Sequence, residues 1–142
     1  MATANPDSAL VRMELARILI RENNDAHIVE LREAEGARIF PIVIGLNEAM
    51  AIERRLMGQK PPRPYTHELL ASVIEALGAR LERIVIHKLE NTIFFARLVL
   101  KRDGQNIDLD SRPSDAIALG VATEVPIFVA EQVLQEVCAG EE

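Results

Sequence analysis

At 142 residues with 49% hydrophobic side chains, the chain has the length and apolar content of one domain with its own core, and no internal repeat or low-complexity tract argues for a second. A formal net charge of −6 excludes a protein coated all over for nucleic acid, and a single cysteine, Cys138, excludes an intrachain disulfide and a cysteine-based zinc site. Aromatic residues make up 4% with no tryptophan, so base-stacking platforms are scarce and a nucleic-acid partner would be met mainly through its backbone.

Charge is uneven along the chain. Residues 1–53 hold 5 basic and 9 acidic side chains, residues 54–102 hold 10 and 4, and residues 103–142 hold 1 and 9. A basic middle facing phosphates and an acidic end holding a cation would give this pattern, and so would two complementary halves of one fold or of a homo-oligomer. Residues 1–9 and 139–142 read as loose termini, leaving a domain over 10–138. Met1 to Asp7 carry neither a basic nor an apolar signal region, and no apolar run is long enough to span a bilayer. With the lone cysteine, this leads us to expect a cytoplasmic protein without a membrane partner.

Val11 to Leu15 alternates apolar and charged residues, continues into Ile18–Ile20 and predicts a first strand; Asn23, Asn24 and Asp25 supply the turn. His27–Leu31 and Arg38–Ile44 predict two more strands of an antiparallel meander, with Pro41 requiring a sheet edge or a bulge. After Gly45 the period becomes helical: Ala49, Ile52 and Leu56 share a stripe, and Gly58 ends the helix. The proline-rich Lys60–Pro64 must be a stiff connector. Thr66 is placed to cap a second helix with Leu69, Leu70, Val73, Ile74 and Leu77 as its buried face. Leu81–Leu89 and Ile93–Leu100 predict strands joined at Glu90 and Asn91, and Asp103–Gly104 is a hairpin turn leading to a strand that ends near Asp110. A helix from Pro113 to about Ala122, a short strand at Pro126–Val129 and a helix at Glu131–Val137 complete the order. These segregated runs predict a single-domain α+β fold with a mainly antiparallel sheet, about six strands plus a short one, and about four helices.

The chemistry-bearing residues gather at Asp108–Leu119. Asp108 and Asp110 are two apart on a predicted strand, so their carboxylates share a face, and Asp115 falls in the first turn of the next helix. Such a set would hold a magnesium or manganese ion through oxygen ligands, or else cap the helix and face solvent. Pro113 suits the first helical turn, where its missing N–H has no partner. Arg112 and Arg63, each beside a proline, are candidate phosphate forks, with structural pairs to Asp110, Asp115 or Glu48 as the alternative. Glu48 stands in the first turn of its helix. His67 is stationed at a helix start, either as a general acid or base or as a packed cap. His27 and His87 have no ligand spacing and read as structural. There is no nucleophile elbow, P-loop or dinucleotide fingerprint, and no organic cofactor is expected.

Three stretches together resemble one family: Phe40–Gly45 leading to Glu48–Ala49, Pro62–Leu69, and Asp110–Ile117 with Pro126–Val129. The chain is similar here to the bifunctional nuclease domain proteins (DNase/RNase) of bacteria and plants, with the likeness running from about Val11 to Val137. Mild departures are Val43 where an aromatic residue is common, Tyr65 where leucine is, and Glu68 where aspartate is. The resemblance implies a wedge-like α+β domain that dimerises, with a charged groove for cleaving DNA and RNA. Its motif positions here are Glu48, Arg63, His67, Asp110, Arg112 and Asp115. Two functions follow as expectations. One is a metal-dependent nuclease without strong sequence preference, with Glu48, His67 and Asp115 catalytic, Arg63 and Arg112 on phosphate, and Asp108, Asp110 and Asp115 on the metal. The other is a non-catalytic homo-oligomeric binding or regulatory module whose charged turn is structural.

Overall fold

The computed structural model describes residues 9–21, 23 and 26–138. The expected loose ends lie outside the described residues except for Ala9, as do Asn24 and Asp25 of the first turn. Three strands, β1 (Leu10–Leu19), β2 (His27–Glu33) and β3 (Ile39–Ile44), form the antiparallel meander. Alternation in β3 is strict, with Phe40, Ile42 and Ile44 buried and Ile39, Pro41 and Val43 exposed. Pro41 is tolerated because β3 is an edge of the sheet, where a missing N–H breaks no inner ladder. Two helices follow, α1 (Leu46–Leu56) and α2 (Thr66–Ala76), then β4 (Arg80–Glu90), β5 (Ile93–Arg102) and β6 (Gln105–Ser111), then α3 (Pro113–Thr123), β7 (Ile127–Ala130) and α4 (Glu131–Cys138).

The seven strands make one sheet in the order β3-β2-β1-β7-β4-β5-β6. The short β7 joins two antiparallel halves, pairing antiparallel with β1 and parallel with β4. All four helices give their buried apolar residues to one cluster, which also takes Ile84, Ile86, Ala96, Leu98 and Val129 from the sheet. Val85 and Val99 are buried outside that cluster, on the other face of the sheet. Helix α3 is the centre: Ser114 and Ala116 to Gly120 are all buried, because α1 and α2 flank it and β4 and β5 lie beneath it.

Four expectations need correction. Helix α2 buries only His67 and Ile74; Leu69, Leu70, Val73 and Leu77 are 38–62% exposed. An apolar stripe at helical spacing does not say how much of a helix its neighbours cover, and α2 packs on α3 and β4 through a narrower strip than the stripe. Leu56 of α1 is likewise exposed. The cap position of α2 is Tyr65, not Thr66, and the carboxylate of Glu68 accepts the Tyr65 N–H at 2.8 Å, closing the helix start. The β4–β5 turn is Asn91–Thr92, both with positive φ (53° and 67°), the backbone of a two-residue primed hairpin turn.

Candidate functional site

The first turns of three helices open onto one groove of about 730 Å³. Glu48 comes from α1, His67 from α2 and Asp115 from α3, with Arg112 at the cap position of α3. Each helix start directs backbone N–H groups and a partial positive charge toward its end, so the sequence places three such ends around one space and favours an anion there. Pro113 begins α3 without wasting a donor, and that fixes Asp115 one turn in.

His67 is 9% exposed, and its Nε2 lies 3.1 Å from Asp115 Oδ1. The second oxygen of Asp115 accepts Arg112 Nε at 2.9 Å and lies 2.7 Å from Arg112 Nη2. Arg112 Nη2 is also 3.7 Å from Glu48 Oε2. The guanidinium itself is largely exposed, while the Glu48 side chain is mostly covered. Partial burial pushes the Asp115 carboxyl up, but the hydrogen bonds to His67 and Arg112 and the charge of Arg112 outweigh it and hold the acid below its ordinary value. The hydrogen bond to Asp115, with that carboxylate's charge, holds Arg112 above its usual value. Asp115 is thus an anion clamped between an imidazole and a guanidinium, a geometry that fixes the ring of His67 and its proton.

The structure brings Glu48, His67, Arg112 and Asp115 together, with Asp110 at the border of the same groove, and leaves Arg63 and Asp108 apart from them. Arg63 is exposed in the connector and does not line the groove. The neighbouring anchor of that connector is Tyr65, whose ring lies 3.9 Å beneath the Arg54 guanidinium. Asp108 and Asp110 do share a face of β6, but register places them opposite Val99 and Arg97, on the side of the sheet away from α3. Asp108 pairs with Arg97 at 3.5 Å. Asp110, near the strand end, also borders the groove.

The three-aspartate set expected for a metal is therefore not assembled. Among the described residues no three His, Cys, Asp or Glu side chains form a group fit to hold a metal ion. Of the groove's carboxylates, Glu48 and Asp115 both face Arg112, so a cation would have to displace a guanidinium to reach that pair, and Asp110 stands at the border. The donor set does not fit a divalent ion in this arrangement.

Sequence reasoning missed Asn47, Thr66, Leu70 and Ser111 in the groove wall. Asn47 and Thr66 are neighbours of Glu48 and His67 in the same helical turns, and that adjacency was the available signal. Arg112 also borders a second cleft of about 520 Å³, walled by Ile42, Phe94 and Pro113.

A single α+β domain with a charged groove at three helix starts is the class of protein that this fold and site define. The family model for the bifunctional nuclease domain matches residues 29–141. The chain belongs to the bifunctional nuclease domain family. It is 40% identical over 119 residues to an uncharacterized protein of Mycobacterium tuberculosis (strain ATCC 25618 / H37Rv), an overlap of 84% of this chain and 71% of the relative. It is 25% identical over 118 residues to Bifunctional nuclease 1 of Oryza sativa subsp. indica, covering 80% of this chain and 36% of that protein. It is 22% identical over 142 residues to Bifunctional nuclease 2 of Arabidopsis thaliana, covering 89% of this chain and 43% of that protein. The chain thus spans less than half the length of these plant nucleases.

Proposed function

We propose that the chain is a nuclease that hydrolyses phosphodiester bonds of DNA and RNA in the groove between Glu48, His67, Arg112 and Asp115, with little sequence preference. The observation that carries this reading is the hydrogen-bonded run from His67 through Asp115 to Arg112 within a groove of about 730 Å³. Family membership and the nuclease names of the plant relatives support it. Asp115 would hold the tautomer with the proton on Nε2, leaving Nδ1 of His67 as the base that activates water. Arg112, its guanidinium largely exposed, would turn part of its fork to a phosphate oxygen and neutralise the charge that builds there. Contacts to the backbone through arginine and three helix ends would give little sequence preference. Arg63, on the exposed connector, would add an outlying phosphate contact.

The test is cleavage of single-stranded and double-stranded DNA and RNA by wild type, His67→Ala and Asp115→Ala, each with EDTA and with added magnesium or manganese. Wild-type cleavage lost in both variants supports the reading, and equal residual cleavage in all samples overturns it. The metal arms decide whether cleavage depends on a divalent cation.

A second reading has its own observation: the charges of Arg112, Asp115 and Glu48 satisfy one another, as in a structural turn. A non-catalytic binding module would then lose stability in Arg112→Ala and have no activity to lose. No helix among the described residues is long and apolar enough to cross a membrane. A cytoplasmic location is the reading favoured by the lone, partly buried Cys138. The exposed apolar residues of α1 and α2 favour a homodimer through that face.

A further inference from the structure

A cleft of about 660 Å³ opens on the other face of the sheet, and among the described residues it shares no lining residue with the groove. Arg80, Arg83 and Lys101 surround it, Glu82 is the one acid among its described lining residues, and Val99 and Phe128 give it an apolar wall. The convergence of these cations depends on a local irregularity. Arg80 and Arg83 are three residues apart, so a regular strand would send them to opposite faces. The register of β4 against β5 shifts between Leu81 and Arg83, which sets Arg80 opposite Lys101 and Arg83 opposite Val99. Those two partners are two apart on β5, so the bulge brings both arginines to one face, the role bulges play beside functional sites.

The Glu82 carboxylate accepts a hydrogen bond from Arg80 at 2.8 Å. That bond outweighs the opposing effect of burial and, with the charges of Lys101, Arg80 and Arg83 added, holds the acid below its ordinary range. Three cations therefore act on one carboxylate beside an apolar floor. The Arg83 guanidinium lies over the Phe128 ring, 5.8 Å from its centre, so a base reaching that ring meets the cation at the same place. The volume is in the range that holds a small organic ligand.

We propose that this cleft binds a nucleoside phosphate, the phosphate held by Arg80, Arg83 and Lys101 and the base laid against Phe128. A guanidinium pair suits the phosphate oxygens bidentately, Lys101 adds a point charge, and stacking of a base on an aromatic face is tolerant of base identity. A free nucleotide and one unit of a single strand offer the same chemistry. The site is independent of hydrolysis in the groove, so either can fail alone.

The experiment is calorimetric titration of the full chain, in EDTA and about 50 mM salt, with AMP, inorganic phosphate and a short oligothymidylate. Wild type should bind AMP or the oligonucleotide about tenfold tighter than inorganic phosphate, and Lys101→Glu and Arg83→Gln should each weaken that binding about tenfold or more. Lys101→Glu should melt like wild type, which separates lost binding from lost folding, and His67→Ala should bind unchanged. Binding of AMP alone assigns the free nucleotide, and binding of the oligonucleotide alone assigns the strand. Failure of wild type to bind either, affinity indifferent to Lys101→Glu, or loss in His67→Ala would overturn the proposal. Inorganic phosphate binding as tightly as AMP would overturn the role of Phe128.

Discussion

Asp115 serves two partners with one carboxylate, His67 on one oxygen and Arg112 on the other. Its folded acidity is strengthened, so the ionised form is the stabilising one. The resulting stability is fully present above the unfolded value near 3.8 and is lost as pH falls through the lower folded value. Asp115→Asn should therefore cost about 1–2 kcal/mol near neutrality, and its deficit against wild type should shrink below that value; melting curves from acid to neutral pH check this. The same residue shows what was legible in the sequence. Pro113 and the helical period beyond it fixed Asp115 in a first turn, and Glu48 and His67 were legible in the same way. Asp108 was not, because alternation tells which strand residues share a face without telling on which face the helix will land.

At the scale of elements, the β4–β5 hairpin carries a local conflict. Thr92 is β-branched and adopts φ of 67°, a region that glycine enters without steric cost. Thr92→Gly should raise stability by about 1 kcal/mol, read as a higher denaturant midpoint with an unchanged slope. Helix α3 offers the opposite case. A Cβ built on Gly120 would meet Ile84 side-chain atoms at 3.5–3.7 Å, ordinary contact distances, so Gly120→Ala should stabilise by about 0.5–1 kcal/mol. Sequence reasoning reads the strand and helix types well where the period is long, as in β3 and β5. The bulge at Leu81/Arg83 left no trace in the residue pattern, since a bulge is set by pairing with β5. The β4–β5 turn slipped by one residue because Asn91 and Thr92 lack the glycine that marks Asp103–Gly104.

For the whole molecule, the position of β7 decides the architecture. Ile127–Ala130 is four residues long, and nothing in a short apolar run says whether it lies at an edge or between two halves. Its place between β1 and β4, parallel to the latter, joins the meander to the β4–β5–β6 half. The α2 face misled for a related reason: Leu69, Leu70, Val73 and Leu77 form an apolar stripe that looks like core from sequence alone, yet they are exposed on this chain. A stripe of that kind is what a second copy would cover. Leu69→Lys with Leu77→Lys should convert a dimer to a monomer in analytical ultracentrifugation without lowering the monomer's own stability, because neither residue packs into the core. A wild type that sediments as a monomer at high concentration would contradict a dimer through this face.

The groove stands or falls with His67. Single-turnover cleavage of an end-labelled single-stranded substrate, by wild type and by a correctly folded His67→Ala, is the most direct measurement. Removal of a general base should slow cleavage by about 100-fold or more while substrate binding is retained. Cleavage by His67→Ala at the wild-type rate would contradict a hydrolytic groove built on the His67–Asp115 pair.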